Sequence, residues 1–161
     1  MTKRILLALA LFVSTAAVHA SKGDIQLQSL TKKDISLNEL VNNGKYNLVM
    51  IWSTDCVACE EQKPMIQAFH KDYSDTKANV IGIANDGMSL RRKIKKLIKK
   101  NNPSYDNYVA SPKTFFSEFE IATGKKFRAT PTYIMFDPQG QVLGVAVGQI
   151  TRDTLDQIVS E

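Results

Sequence analysis

The most informative segment of the sequence is Leu48-Val49-Met50-Ile51-Trp52-Ser53-Thr54-Asp55-Cys56-Val57-Ala58-Cys59. Its first five residues form an unbroken apolar run, which is typical of a central strand that is covered on both faces. A helical pattern begins beyond the cysteines. Because the chain has 2 cysteines in 161 residues, its whole thiol chemistry lies where a buried strand turns into a helix.

This position predicts unequal roles for the two sulfurs. The first lies beside unpaired backbone N–H groups at the positive end of the helix dipole, which stabilises a thiolate. The second lies three residues on, about one helical turn, and can attack a mixed disulfide formed by the first. We therefore predict a redox-active disulfide with Cys56 as the nucleophile and Cys59 as the resolving thiol. A bridge that encloses two residues would stabilise the fold little, so chemistry is the better explanation for the pair.

Metal binding is the main rival interpretation of a Cys-x-x-Cys pair. A closed structural zinc site needs four ligands. Apart from the two cysteines, the chain beyond residue 20 offers the single histidine His70, which is interpreted as an ordinary residue of the following helix. We therefore expect neither a metal nor another cofactor.

The rest of the chain alternates strand and helix patterns and then ends in a hairpin and a helix. Predicted strands cover residues 80–84, 108–110, 132–136 and 141–147, and a small hairpin or edge strand pair lies within residues 25–40. Predicted helices follow the cysteines, span residues 91–100, begin at Ser111-Pro112 with Phe115, Phe116 and Phe119 on one side, and start again at the cap Thr151. The pattern predicts an α/β domain with a mixed central sheet flanked by helices.

The amino terminus has the pattern of a signal peptide. Lys3 and Arg4 precede nine apolar residues, 5–13, and Val18-His19-Ala20 places small residues at the two positions read by a signal peptidase. We predict cleavage after Ala20, a single domain over residues 21–161 and a periplasmic location. An uncleaved membrane anchor is the alternative, but residues 5–18 fall short of the roughly 20 residues that span a bilayer.

Charge gives little support for a nucleic-acid partner. Without Lys3 and Arg4 the chain has 19 basic and 16 acidic residues. Much of the excess lies in residues 91–100, where Ile94, Leu97 and Ile98 have helical spacing, so this segment is interpreted as an amphipathic helix with a solvated basic side. Binding to nucleic acid or anionic lipid is a weaker alternative, because no aromatic stacking platform accompanies the helix.

Several motifs together resemble a known superfamily. Residues 52–59 are followed by Pro64 five residues after the second cysteine, and Thr130-Pro131-Thr132 precedes the last hairpin. The chain resembles the thioredoxin superfamily, and its leading segment, Ile35-Ser36-Leu37-Asn38-Glu39-Leu40 and then Gly44-Lys45, is similar to TlpA/ResA-like exported thiol-disulfide oxidoreductases. The resemblance implies a thioredoxin fold with an N-terminal strand or hairpin addition, and a cis Pro131 beside the dithiol.

The same residues suggest a substrate groove formed by Trp52, Thr130 and Pro131. A proline just before a strand removes one ladder donor, so the backbone at Thr130 could pair with an extended substrate. The alternative is a plain proline at the start of a strand.

Two departures from the family concern proton transfer. Many thioredoxins have a buried acid six residues before the first cysteine, where this chain has Met50. ResA-like members often have a glutamate three residues after the second cysteine, where this chain has Gln62. Glu60 and Glu61 are candidate proton relays through water, although the alternative is that they only complement the positive helix end.

The predicted activity is protein-disulfide reduction. Val57 and Ala58 offer no donor to the Cys56 sulfur, and the nearby acids oppose a very low thiolate pKa, which indicates a reducing or moderate potential. The resemblance implies cysteine-containing exported proteins as substrates, apocytochrome c among them, a membrane thiol transporter of DsbD or CcdA type as electron donor, and a monomer. A disulfide-forming oxidase or isomerase, a peroxiredoxin and a non-catalytic binding or chaperone module remain as alternatives.

Overall fold

The computed structural model describes residues 23–160, so the predicted signal peptide at residues 1–20 lies outside the described residues. The strands are β1 (Gln26–Ser29), β2 (Asp34–Ser36), β3 (Tyr46–Trp52), β4 (Ala78–Ala84), β5 (Asp106–Ala110), β6 (Thr132–Phe136) and β7 (Val142–Val147). The helices are α1 (Leu37–Val41), α2 (Val57–Tyr73), α3 (Arg91–Asn101), α4 (Phe115–Thr123) and α5 (Arg152–Ile158). A short 3-10 turn, Met88–Leu90, precedes α3.

The strands form one mixed sheet in the order β2-β1-β5-β4-β3-β6-β7. β3, β4 and β5 are parallel because helices connect them, whereas β6 pairs antiparallel with both β3 and β7. The β1–β2 hairpin extends the sheet by pairing antiparallel with the outer side of β5. The predicted mixed sheet and N-terminal hairpin are both confirmed.

The continuous apolar run of β3 is explained by cores on both faces of the sheet. Leu48, Met50 and Trp52 lie in one core, while Val49 and Ile51 lie in the other. Successive side chains of a strand point to opposite faces, so a strand between two cores must be apolar throughout. Helices α2, α3 and α5 cover the first core, and α1 and α4 cover the second.

Three local predictions need correction. The segment after β2 is not strand: Ser36 caps α1 by accepting a hydrogen bond from Glu39 N at 3.3 Å, so the chain turns into a short helix at once. Helix α4 begins at Phe115 and not at the predicted Ser111-Pro112, which a turn separates from it. Within α4, Phe115 and Phe119 are buried, but Phe116 is 55% exposed and packs on Phe127 at the surface. The two buried rings are four residues apart and share the inward face of the helix, which Phe116 does not.

Other helix predictions are confirmed. In α3, Ile94 is buried, with Leu97 and Ile98 packed against the same core. Thr151 caps α5 by accepting a hydrogen bond from Thr154 N at 3.3 Å. No helix within residues 23–160 is long and apolar enough to cross a membrane.

Candidate active site

Cys56 occupies the N-cap position of α2. It follows the loop that leaves β3, and its Sγ accepts a hydrogen bond from Cys59 N at 3.1 Å. A sulfur at this position receives the first free backbone N–H groups of the helix and lies at the positive end of its dipole. The local sequence therefore places Cys56 where a negative charge on sulfur is stabilised.

The two cysteines form a disulfide and differ in exposure. Their sulfurs are 2.01 Å apart and their Cα atoms 5.3 Å apart. Cys59 is 0% exposed and belongs to the core under α2, whereas Cys56 is half-buried. An external molecule can therefore approach the disulfide only from the side of Cys56.

The loop before Cys56 is held by Asp86, which lies just beyond the carboxyl end of β4. The Asp86 carboxylate accepts hydrogen bonds from Thr54 N at 3.0 and 3.2 Å and from Thr54 Oγ1 at 3.0 Å. Sequence reasoning missed this residue. Its position after a buried parallel strand next to β3 was the available signal, because the carboxyl ends of parallel strands meet at one edge of the sheet.

A second contact joins this loop to the segment before β6. Ser53 Oγ is 3.0 Å from Asp55 Oδ1 and 3.1 Å from Thr130 Oγ1. The peptide bond between Thr130 and Pro131 is cis. Thr130 is half-exposed and lies outside the ladder of β6, which begins at Thr132. The predicted groove residue Thr130 therefore contacts the loop before Cys56, and Pro131, which follows it, is buried. The groove itself stays a prediction.

The prediction that Trp52 forms part of the substrate groove is wrong, because its side chain is buried. Trp52 is 1% exposed, and its indole N–H donates to Asn107 Oδ1 at 3.1 Å. Asn107 lies against Gly82, where a side chain would occupy the place of that amide oxygen. Because Trp52 ends a strand with cores on both faces, its ring is part of the core beneath the site and offers no surface to a substrate.

Neutral side chains lie on the inner side of α2 near its start. Gln62 Oε1 accepts hydrogen bonds from Tyr133 Oη at 3.1 Å and from Ile150 N at 3.0 Å. Burial raises the pKa of the Tyr133 phenol, so this group stays protonated. Met50 is 0% exposed and lies opposite Tyr133 in the β3–β6 pair. The two positions at which the resemblance predicted an acid are thus filled by Met50, which is buried, and Gln62, which accepts hydrogen bonds.

Charged side chains lie on the outer side of the same part of α2. Glu60 pairs with Lys63 and accepts a hydrogen bond from Asn101 Nδ2 at 2.9 Å. Burial favours a higher pKa for Glu60, but the hydrogen bonds from Lys63 and Asn101 outweigh it and lower the pKa. Lys63 Nζ also lies 4.2 Å from the centre of the Trp52 ring. Sequence reasoning missed Lys63 and Asn101, which no motif marks.

The candidate proton relays are both engaged elsewhere. Both Glu60 oxygens have partners, and Glu61 Oε2 accepts a hydrogen bond from Gln149 Nε2 at 2.8 Å. A carboxylate with a lowered pKa is a poor proton acceptor near neutral pH. A relay through Glu60 or Glu61 stays a prediction. Across residues 23–160, no group of three or more His, Cys, Asp or Glu side chains could hold a metal ion.

Comparison with known proteins agrees with this geometry. A model of the AhpC/TSA family matches residues 19–145. A thiol-disulfide oxidoreductase ResA from Oceanobacillus iheyensis is 21% identical over 142 residues, which cover 86% of this chain and 69% of the relative. The thioredoxin-like protein YneN from Bacillus subtilis is 24% identical over 134 residues, covering 83% of this chain and 74% of YneN.

The fold also matches solved structures. A thiol:disulfide interchange protein of the thioredoxin family from Chlorobium tepidum superposes with a TM-score of 0.70 at 22% identity, covering 86% of this chain and 92% of the other. The predicted thioredoxin fold is confirmed by this similarity.

Proposed function

The chain belongs to the AhpC/TSA family and is a thiol-disulfide oxidoreductase, and from this premise we propose that it is an exported reductase of protein disulfides. The observation that carries the proposal is the asymmetry of the two sulfurs. Cys56 is half-buried at a helix N-cap, while Cys59 is fully buried one turn away. This arrangement suits an exchange in which one thiol meets the substrate and the other releases it.

The proposed reaction starts from the reduced dithiol. The Cys56 thiolate attacks one sulfur of a substrate disulfide, forms a mixed disulfide and expels the first substrate thiolate. Cys59 then attacks the Cys56 sulfur, and the second substrate sulfur leaves as a thiolate. Two electrons pass to the substrate, the Cys56–Cys59 disulfide forms, and the proton lost by Cys59 is balanced by protonation of the leaving sulfur.

The surroundings of Cys56 favour the reducing direction. Among residues 23–160, the hydrogen bond to Cys56 Sγ comes from the backbone N–H of Cys59, and the motif residues Val57 and Ala58 add no donor. A Cys-x-x-Cys disulfide oxidises its partners strongly when the thiolate of its reduced form is strongly stabilised. We therefore expect a potential nearer the roughly −270 mV of thioredoxin than the roughly −120 mV of DsbA.

Insulin reduction with dithiothreitol tests the activity. The wild-type protein should accelerate precipitation of the insulin B chain, Cys56→Ala should abolish the acceleration, and Cys59→Ala should accumulate mixed disulfides. Unchanged behaviour of both variants would contradict the reductase and favour a binding or chaperone module, for which the neutral Met50 and Gln62 are the best argument. Consumption of hydrogen peroxide without insulin reduction would indicate a peroxiredoxin instead.

A redox titration against glutathione tests the direction. A potential near that of DsbA would overturn the reductase proposal and favour a disulfide-forming oxidase or isomerase.

The location and partners are part of the same proposal. The predicted signal peptide supports a periplasmic protein, and the similarity to TlpA/ResA-like proteins supports reduction by a membrane thiol transporter of DsbD or CcdA type. Cysteine-containing exported proteins, apocytochrome c among them, are the proposed substrates. Mass spectrometry of mixed disulfides captured by Cys59→Ala in the exported fraction would identify them, and capture of cytoplasmic proteins alone would contradict the location.

A further inference from the structure

Helix α3 carries a concentrated positive charge. Seven of its eleven residues are Lys or Arg and none is acidic, whereas the other described residues contain 11 basic and 15 acidic side chains. Arg91 is used internally, because its Nε donates to Leu30 O at 2.7 Å. The other six are exposed, and we call them the basic face of α3: Arg92, Lys93, Lys95, Lys96, Lys99 and Lys100.

Helix stability explains only the last turn of the basic face, where Lys99 and Lys100 lie near the carboxyl terminus of α3 and cations are favourable. The first turn of α3 has no acidic residue, and its N-cap Leu90 makes no side-chain cap hydrogen bond, although cations near a helix N-terminus are unfavourable. Like charges stand four residues apart at Arg92 and Lys96 and again at Lys96 and Lys100, which is also destabilising. None of the ion pairs within residues 23–160 involves α3, so most of this charge has no ion-pair partner inside the described fold.

One end of the basic face lies near the start of α2. Asn101, the last residue of α3, donates to Glu60, which lies four residues after Cys56 in the first turn of α2. Lys100 is close enough to Glu60 to lower its pKa by charge attraction. The carboxyl-terminal end of α3 is thus tied to the turn that begins at the reactive disulfide.

The inward side of α3 argues against insertion into lipid. Ile94 is 0% exposed, and Leu97 and Ile98 pack against the core of the sheet. A helix that lies in a membrane interface needs its apolar face free, and here that face is already used. What α3 offers to a partner is charge alone.

We propose that the basic face of α3 recruits acidic segments of the cysteine-containing polypeptides that exchange disulfides at Cys56. This inference rests on the proposed function and adds the substrate class, polypeptides with acidic residues flanking the disulfide. Opposite charge raises the encounter rate of such a segment with a basic surface, and the effect weakens as salt screens it. The recruitment acts before the chemical step and leaves the exchange chemistry unchanged.

The test compares two peptides of equal length, each closed by one disulfide and flanked by four aspartates or by four serines. The reduced protein is mixed with each peptide, and the second-order rate constant is measured by acid quench and thiol alkylation. At low ionic strength we expect the acidic peptide to react about 10-fold faster, with the advantage lost in 0.5 M salt.

Matched variants separate the basic face from net charge. Lys96→Gln/Lys100→Gln should reduce the advantage of the acidic peptide severalfold, and Lys71→Gln/Lys77→Gln, which removes the same charge from exposed residues elsewhere, should preserve most of it. The serine peptide should react at one rate with all three proteins. Equal loss in both variants, or an unchanged advantage in the first, would overturn the inference while leaving the reductase intact.

Two further outcomes are distinguished. If the wild-type protein reduces neither peptide, the proposed function fails and the inference falls with it. If the protein binds phosphatidylglycerol vesicles but not phosphatidylcholine vesicles, loses this binding in Lys96→Gln/Lys100→Gln, and discriminates neither peptide, the basic face serves an anionic lipid surface and the inference is overturned.

Discussion

Helix α2 begins at a sulfur atom and ends in a network of charged and aromatic contacts. Its N-cap is Cys56, whose Sγ accepts a hydrogen bond from Cys59 N. Near its last turn, Arg152 of α5 pairs with Asp72 and Asp156, each at 2.7 Å. The Arg152 guanidinium also lies over the rings of Phe69 and Tyr73, at 5.6 and 5.5 Å from their centres.

The difference between the two ends shows how one helix serves both structure and chemistry. Sulfur is a weak hydrogen-bond acceptor, so Cys56 caps α2 less well than Ser36 caps α1 or Thr151 caps α5. The carboxyl-terminal end of α2, which we call the far end, compensates for this weaker cap with the ion pairs of Arg152 and with the packed rings of Phe69 and Tyr73. Changes at the far end should therefore alter stability, and changes at the first turn should alter thiol chemistry.

The largest expected effect is on stability at the far end. Phe69 is fully buried, so Phe69→Ala should lower the free energy of unfolding by about 3–5 kcal/mol in urea denaturation. Val57→Ala, at an exposed position inside the cysteine motif, should change it by no more than about 0.5 kcal/mol. Insulin reduction by folded Phe69→Ala should match the wild type, and a specific loss of that activity would break the proposed division.

A charge on the inner side of α2 near its start should change the thiol chemistry. In Gln62→Glu the new carboxylate can still accept from Tyr133 and Ile150, but it opposes the thiolate and should raise the pKa of the reduced dithiol by roughly one unit. The pH dependence of Cys56 alkylation measures this pKa. Gln67→Glu adds the same charge further along α2 and is the control; an equal shift in both variants would show that net charge, and not position, acts.

Removing the charged cover of the far end should have a smaller effect on stability. Arg152→Ala loses two ion pairs and the contacts with Phe69 and Tyr73, and we expect a loss of about 1 kcal/mol, because these partners are partly exposed. Thermal or urea unfolding measures it, with Arg128→Ala, at an exposed position outside this network, as control. A changed rate of exchange at Cys56 would contradict the comparison.

The smallest expected effect is a pH dependence at the far end. His70 Nδ1 accepts from Val80 N at 3.2 Å, and burial lowers the pKa of His70. The unfolded chain therefore binds the proton first, so this stability is complete above pH 6.5 or so and falls as the pH drops below it. Urea midpoints at pH 7.5 and 5.5 should differ more for the wild type than for His70→Gln. An equal difference would exclude His70 as the source.

Much of the fold could be predicted because its signals are local. The apolar run of β3, the helical spacing in α3 and the cap at Thr151 each depend on residues close in sequence. Helix α1 was mispredicted because helical and extended patterns of apolar residues overlap in short segments. Phe116 was assigned to the wrong face of α4, because it directly follows Phe115 and cannot share the face on which Phe115 and Phe119 lie. The predicted groove role of the Trp52 side chain was wrong for another reason. Whether a side chain at the end of a strand is exposed depends on the residues that neighbouring strands and helices place against it.

Residues close in sequence specify the position of the two thiols, because both cysteines lie at one strand-to-helix junction, with Cys56 at the helix start and Cys59 one turn on. The surroundings of the thiols depend instead on contacts between residues far apart in the chain. Asp86 on the Thr54 loop, Gln62 with Tyr133, and Asn101 with Glu60 join residues 32, 71 and 41 positions apart. No local periodicity encodes such pairs, because they form only when the sheet order brings separate strands and helices together.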